Sequence, residues 1–542
     1  MFVRTKRSGN HEYLQIVRSF REGPKVRQQV VATLGRRDVL AASGELDKLL
    51  ESLAGFSSRL RVVEAVRTGG LEARYTREWG PALVFGRLWE RQGLPEILPG
   101  LVAKRRLEFS FERMVFAMAL QRLSSPGSDL QGSGWIGRVE AEELEGLALQ
   151  HFYRATGVLS QVREELERAL YLRDRDLFGQ TLDLVLLDTT SLYVYRDTET
   201  EWRKRGYSRD RRGDLPQLVL CVAVDQDGWP MAWDIWPGNT ADPSAFRPMI
   251  RKLRERFHIG RVVIVADRGM ISEEAMQDLT GHAEAPLDYI FGCRMRNQKV
   301  VREQVLPRAS GWEEVTPNLR VAEVGVAGRR YIVCENPAEA RKDAEARGLV
   351  LAKLKETLEK HGPKAVIGNR GFARFVKVAK GSVSINREAV EADAQFDGKF
   401  VLTTSTPRPA VETAQAYKGL WRVERTFREE KSTLQVRPIF HHRDDTSIGH
   451  IVASFLALRL EVDLQRRLDE RGVTTSWPDL MRDLKGVQAV IVDLDGQRYR
   501  LRTDLPGCAY EAFAAAGVRP PPPLTPLGPS PPKAPAQVEE NM

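Results

Sequence analysis

The sequence predicts a mixed α/β protein whose central sheet is interrupted by an inserted segment and preceded by a basic β module and a helical region. Three observations carry that expectation. Short apolar runs of buried-strand type, TLDLVLLDTT, QLVLCVAVD and RVVIVADRG, recur between 181 and 270. Helical periodicity separates them in SAFRPMIRKLRERF and SEEAMQDLTGH, and it dominates 45–180. Strand character returns at GKFVLTTST only after a stretch, 300–395, that mixes strands with one long charged helix.

Composition narrows the class. A chain of 542 residues holds three or four domains at about 150 residues each. Its 42% apolar and 29% charged content is that of an ordinary soluble chain. The formal charge of +9 favours an anionic partner, weakly over this length. No apolar run approaches the roughly 18 residues of a membrane span, and MFVRTKRSGNHEY carries no secretory h-region. The four cysteines, Cys221, Cys293, Cys334 and Cys508, never form C-x-x-C. That argues against a disulfide scaffold and a structural zinc site, and it fits a reducing cytosol.

The elements follow in order. Residues 1–44 read as a basic β-rich module, because nine Lys or Arg stand against three acids in the first 38 residues. EYLQIVRSF and VRQQVVATLG are strand-like and joined by a turn over 21–25. Such a sheet suits contact with a DNA backbone, and equally a solvated edge. Residues 45–180 read as a helical domain, with apolar spacing in GPALVFGRLWERQGL and FERMVFAMALQRL and breaks such as Ser124–Gly127. Its cluster Lys104-Arg105-Arg106 reads as a solvated helix end, with phosphate contact as the alternative. Residues 181–299 give three strands, the second and third joined across Asp225–Gly228, then helix, strand, helix, strand. That is the order of a ribonuclease-H-like core. Residues 300–395 are an insertion, and 396–465 complete the core with a strand and a helix starting near Pro409. Residues 466–518 are a helical and α/β C-terminal region. The tail, 519–542, has nine prolines between Pro520 and Pro535 and is expected to be disordered.

Two acids stand out. Asp188 ends the apolar run 182–187, and Asp267 ends 262–266. A carboxylate inside an apolar sheet is costly, so an acid at a strand end serves a site or caps the next turn. In a sheet of this order the first and fourth strands are neighbours, and both carboxylates meet at one rim. A divalent cation relieves their repulsion. A third acid is expected from the helix after the last core strand, which holds Glu412, Glu424, Glu429 and Glu430. At about 100° per residue, Tyr417, Glu424 and Lys431 share one stripe, with Leu420, Phe427 and Arg428 beside it. Glu424 alone has an aromatic hydroxyl two turns before it and an ammonium two turns after it. A metal-binding carboxylate flanked by phosphate donors is what phosphoryl transfer requires; the alternative is a surface salt-bridge stripe.

Asp188, Asp267 and Glu424 resemble the acidic triad of the DDE transposases of bacterial insertion sequences. Tyr417, Glu424 and Lys431 are similar to the Y, E and K of the Y-(2)-R-(3)-E-(6)-K signature of the insertion-sequence-four type. The signature's Arg falls at Leu420 here, and Arg428 is the expected substitute. Gly206–Gln217, Pro237–Asp242 and the insertion before the last core strand also resemble this family, in a subgroup with a basic β-rich N-terminus. The resemblance runs from the N-terminus to about 465. It implies cleavage at the ends of an insertion sequence and joining of the 3′-hydroxyls to target DNA, and it makes the helical domain 45–180 a DNA-binding one. The cofactor expected is Mg²⁺ or Mn²⁺, as two ions on Asp188, Asp267 and Glu424. The partners expected are double-stranded DNA (terminal inverted repeats and target) and a second copy of the chain on paired ends. The location expected is cytoplasmic and DNA-associated. No P-loop and no G-x-S-x-G occurs. The alternatives are a stand-alone metal-dependent nuclease of the same fold and a transposase-derived DNA binder that no longer cuts.

Arg203, Lys204, Arg205, Arg209, Arg211 and Arg212 put six cations in one loop beside the first acid, a candidate track for the DNA backbone. Tyr207 serves there as a base-stacking residue or as an anchor of its own loop. His441 and His442 point apart and make a poor metal pair, leaving phosphate contact or a structural role. Trp421 is expected in the core.

Overall fold

The computed structural model describes residues 1–22, 25–54, 72–178, 184–257, 263–267, 276, 279, 287–367, 369, 371–379, 382–494 and 496–529. The expected turn at Gly23-Pro24, most of the helix SEEAMQDLTGH and the end of the proline-rich tail lie outside them. Two compact units are present, one of 1–80, 482–510 and 519–542, the other of 81–481 and 511–518.

The first unit contains a three-stranded antiparallel meander, β1 (Phe2–Ser8), β2 (His11–Glu22) and β3 (Lys25–Arg36). It also contains a four-stranded sheet in the order β18-β17-β16-β4. Here β4 is Glu72–Glu78, β16 Gln488–Leu494, β17 Gln497–Arg502 and β18 Leu524–Pro529. Two expectations are corrected. The segment 45–180 is not wholly helical, because the polar strand EARYTRE pairs antiparallel with β16 from the far end of the chain. The tail from 519 is not wholly disordered, because Leu524–Pro529 lies along β17. Its prolines are tolerated on an edge strand, where a missing N–H costs no ladder bond.

In the second unit the helices α1 (Phe111–Ser124), α2 (Asp129–Trp135), α3 (Leu149–Phe178) and α8 (Asp444–Glu470) form the support. Helix α1 starts where Ser110 Oγ accepts the Arg113 N–H at 3.3 Å, and every residue but Arg113 is buried. A helix buried on all sides belongs inside a domain; α8 packs against both α1 and α3. A buried Arg459 in α8 is neutralised by Asp174 of α3 at 2.8 Å.

The central sheet has nine strands, ordered β10-β11-β12-β15-β9-β8-β5-β6-β7. Strands β5 (Leu184–Tyr193), β6 (Gln217–Asp225) and β7 (Pro230–Pro237) are antiparallel neighbours. Strands β8 (Val263–Ala266) and β9 (Asp288–Gly292) run parallel to β5. Strand β15 (Lys399–Thr404) joins β9 antiparallel. Strands β10 (Glu313–Thr316), β11 (Leu319–Val326) and β12 (Arg329–Glu335) therefore extend the same sheet through β15. The rest of the inserted stretch, with helix α5 (Pro337–His361) and the hairpin β13–β14 (Val376–Ala379, Ser382–Ile385), builds a separate small core on Leu354, Val366, Phe372 and Phe375.

Strand alternation assigns the two faces. Val185, Leu187, Ile264 and Ala266 pack with Phe246, Met249, Ile250 and Leu253 of α4 (Asp242–Phe257). Leu184, Leu186 and Asp188 point to the other face. Helices α6 (Ala410–Lys418) and α7 (Trp421–Arg428) lie there.

Candidate active site

Two acids meet by register. The parallel ladder of β5 and β8 runs Leu184↔Val263 to Leu187↔Ala266, so Asp188 and Asp267 are the next facing residues on adjacent strands. Strands lie about 4.8 Å apart, and both residues fall on the face covered by α6 and α7. Asp188 does not end its strand, as the apolar run implied. Strand β5 continues through Thr189, Thr190, Ser191 and Leu192 because β6 stays paired to Tyr193. What ends at Asp188 is only the β8 side of the pairing.

Glu424 faces the same cavity from α7, with the three carboxylates not all within 4.8 Å of one another. Asp188, Asp267 and Glu424 line one cavity of about 440 Å³, together with Tyr417, Lys399 and Lys418. Tyr417 donates its hydroxyl proton to Asp267 Oδ1 at 2.9 Å and stacks on Phe400. The helix holding these residues is not continuous. Between α6 and α7 the bonds Leu420 N–H to Tyr417 O and Val423 N–H to Leu420 O are of the tighter i+3 kind. After α7 a π segment, Glu429–Thr433, adds a wide turn. Tyr417 and Glu424 still share the cavity. Lys431 does not: the π turn carries it to Asp210, where Nζ donates to Oδ1 at 3.1 Å.

The loop 203–212 divides by burial. Arg203 corrects the expectation of a DNA contact: it is 5% exposed. Its guanidinium is consumed by Asp444 and by the carbonyls of His441 and His442, so it fastens the loop from inside. Lys204 and Arg205 face Glu199, and Arg212 is paired with Asp214 over the Tyr193 ring. Arg211 is exposed, in a left-handed conformation with φ of 59°, and Tyr207 is 87% exposed. Arg209 turns inward. Its Nη1 donates to Asp188 Oδ1 at 3.4 Å, and its Nη2 to Thr189 Oγ1 at 2.9 Å and Asp242 Oδ2 at 3.2 Å.

Two glycines make this juxtaposition possible. A Cβ on Gly206 would overlap the carbonyl oxygen of Gly238, and one on Gly238 would overlap those of Gln217 and Lys204. Gln217 Nε2 then donates to the carbonyls of Tyr207 and Gly238, each at 2.9 Å. The stretches Gly206–Gln217 and Pro237–Asp242 are thus locked backbone to backbone, which delivers Arg209 and Asp242 to the edge of the cavity.

Burial pushes the Asp188 carboxyl up to about 6, Arg209 and the Thr189 N–H oppose that rise, and the charge of Asp267 adds to it. A site that strains to ionise its own carboxylate is one that a cation would stabilise. The acids that face the cavity are three carboxylates, which suits a hard divalent ion.

Sequence reasoning missed Lys399, Lys418, Thr189 and Asp242. The last lay in view at the end of Pro237–Asp242, but only the folded loop reveals its partner. Arg428 stays exposed on α7. Trp421 corrects the expectation of a core residue, being 51% exposed at the cavity wall. His441 is buried and structural, in contact with His450 at 3.3 Å, and His442 is bonded to Arg196 at 2.6 Å.

A second group, Asp129, His441 and His450, has metal-like spacing. It already contains a cation, because Arg122 Nη2 bonds His450 Nδ1 at 2.9 Å and lies 3.9 Å from Asp129. His450 Nε2 is engaged by the Val436 carbonyl at 2.9 Å. This is a satisfied polar network in the wall of a cavity of about 1070 Å³. Chemistry, not volume, marks the site at Asp188.

Comparison with known proteins gives the family. No curated protein matches the chain. The family profile described as IS1634 family transposase, N-terminal domain, matches residues 2–70. The profile described as Transposase DDE domain matches residues 179–460 and so takes in Asp188, Asp267, Glu424 and more than half of the chain. The chain belongs to the DDE transposases of bacterial insertion sequences.

Proposed function

We propose that this transposase cleaves DNA at the ends of its insertion sequence and joins the freed 3′-hydroxyls to target DNA, with Asp188, Asp267 and Glu424 as its catalytic, metal-binding triad. The observation that carries the reading is the convergence of those three carboxylates on one cavity from β5, β8 and α7. The strand order β7-β6-β5-β8-β9, three antiparallel and two parallel, supports a ribonuclease-H-like core. The inserted strands then enlarge that core's sheet.

Two divalent cations, magnesium or manganese, held by Asp188, Asp267 and Glu424, would supply activation of the attacking oxygen and stabilisation of the leaving one. The chain's own residues do the rest. Tyr417 fixes the rotamer of Asp267 through its hydroxyl, so that both aspartates present oxygens to the same space. Lys399 and Lys418 line the wall and attract phosphate oxygens, while Arg428 grips the backbone from α7 in place of the arginine absent at Leu420. Arg211, Arg205 and Arg212 on the loop, with exposed Tyr207, track the strand leading to the cut. Double-stranded DNA, as terminal inverted repeats and target, is the proposed partner, and pairing of two ends calls for a homodimer. No helix among the described residues is long and apolar enough to cross a membrane. A cytoplasmic, DNA-associated location fits these partners.

The test uses the full chain and DNA carrying the element's own termini. Asp188→Asn, Asp267→Asn and Glu424→Gln should each reduce Mn²⁺-dependent end cleavage more than about 100-fold while end binding persists. Cleavage retained in any one of them would remove that residue from the triad. Joining of a pre-cut end to target DNA separates this activity from that of a simple nuclease.

A further inference from the structure

Asp188 has a resident counter-charge. Arg209 Nη1 lies 3.4 Å from its Oδ1, and the carboxylate is only 15% exposed. The other arm of the same guanidinium is held by Asp242 at 3.2 Å. Thr189 ties the arrangement together, since its hydroxyl donates to Asp242 Oδ1 at 2.7 Å and accepts from Arg209 Nη2 at 2.9 Å. Arg209 is anchored at its own backbone, where its N–H donates to Ser191 Oγ at 3.0 Å. The guanidinium therefore bridges two carboxylates while the backbone beneath it is held by Ser191.

A doubly charged ion on Asp188 and a guanidinium on the same oxygen repel one another strongly at these distances in a half-dry site. We propose that Arg209 is an exchangeable counter-ion of the triad: cation binding at Asp188 displaces it, and Asp242 retains it at the rim, aimed at the space a DNA phosphate would enter. The proposal rests on the reading of Asp188, Asp267 and Glu424 as a cation-binding triad. It makes Arg209 and Asp242 positioning residues, with opposite effects on the affinity for the ion. Arg209 competes with the cation. Asp242 draws Arg209 away and so favours the cation.

The arrangement also gives the loop a purpose in sensing the site. The cations Arg205 and Arg212 form exposed pairs with Glu199 and Asp214, which a phosphate can open. Arg209 is the loop residue bonded to Asp188 and Asp242, and its release would couple metal loading to phosphate capture. An arginine suits this exchange better than a lysine, because its planar fork satisfies two carboxylates at once and then a phosphate in the same geometry.

Binding of Mn²⁺ alone to the full chain, followed by electron paramagnetic resonance of the free ion, tests this without DNA or turnover. Arg209→Gln should tighten Mn²⁺ binding roughly tenfold, and Arg209→Lys, which keeps the charge, should stay within about threefold of the parent. Asp242→Asn should weaken binding. In the double variant Arg209→Gln/Asp242→Asn, affinity should return to that of Arg209→Gln, since Asp242 acts through the arginine. Unchanged affinity in Arg209→Gln, or independent, additive effects of the two substitutions, overturns the exchange. Melting curves of each variant identify any that fail to fold, and Arg209→Ala, which likewise removes the charge and should tighten binding, then supplies the reading. If Mn²⁺ binding proves indifferent to Asp188→Asn and Asp267→Asn, the triad reading itself fails, a result distinct from failure of the exchange.

Discussion

Glu430 sits in the π segment with neither carboxylate oxygen hydrogen-bonded and no exposure to solvent. Burial pushes its pKa up to about 8, and neighbouring Lys431 resists that rise only in part. The folded state therefore holds a proton that the unfolded chain, titrating near 4.5, gives up earlier. Stability from this group is complete below about pH 4.5 and is lost as the pH climbs through 8. Replacing the acid with Glu430→Gln removes that dependence. Thermal unfolding should show the variant several degrees above the parent at pH 9, a difference of a few kcal/mol, with the gap closing by pH 5. A constant gap across that range would assign the effect to packing. The same chemistry explains what the sequence could reveal at this scale. Asp188 and Asp267 were legible because each interrupts an apolar run, and a charge in such a run needs a reason. Asp242 and Glu430 were not, nor was the pairing of Arg209 with Asp188, since each sits among other polar residues, and only the fold distinguishes buried or bridging from solvated.

At the scale of elements, the segment 410–433 joins two α-helices by a tight turn and ends in a wide one. A uniform helical phase brought Tyr417 and Glu424 to one side correctly and Lys431 incorrectly. Period cannot register a π turn, because the extra residue is a matter of hydrogen-bond partners and not of apolar spacing. The wide turn has a structural use: it places Lys431 against Asp210, both nearly buried, and thereby fixes the loop 203–212 that carries Arg209. Asp210 also faces Arg437 at 3.0 Å. The two ends of this cluster are thus unequal. Asp210→Asn leaves two partly buried cations facing each other and should cost about 2–3 kcal/mol. Lys431→Met leaves Asp210 still paired with Arg437 and should cost less than half as much. Melting temperatures of the two variants decide the matter, and an equal loss would mean that Lys431 and Arg437 do not share the aspartate.

Across the whole molecule, the sequence indicated the alternation of strands and helices in the central sheet but not the pairings between distant ends. Strand β4 finds its partner in β16 and the proline-rich Leu524–Pro529 finds β17, and nothing local in either segment announces that. Charge, in contrast, is written plainly in the first 38 residues, and the fold keeps it available. Lys6, Arg7, Arg18, Arg21 and Arg27 are exposed on the β1–β3 meander. A sheet of this size with exposed Phe20, Val30 and Val31 gains little from its own core, and its cations are costly to gather unless they meet an anion. Each phosphate they neutralise releases counter-ions, so affinity for end DNA should fall steeply with salt, by about 0.9 in the logarithmic slope per contact. Lys6→Gln, Arg7→Gln, Arg18→Gln and Arg21→Gln combined in the full chain should flatten that slope by roughly two to four. Cleavage of DNA supplied at saturating concentration should stay near that of the parent, since the acids at 188, 267 and 424 are untouched. Filter binding of terminal DNA from low to moderate salt gives the measurement. A slope that does not change would place the phosphate contacts elsewhere, on the cations of the second unit, and leave the meander as a solvated sheet.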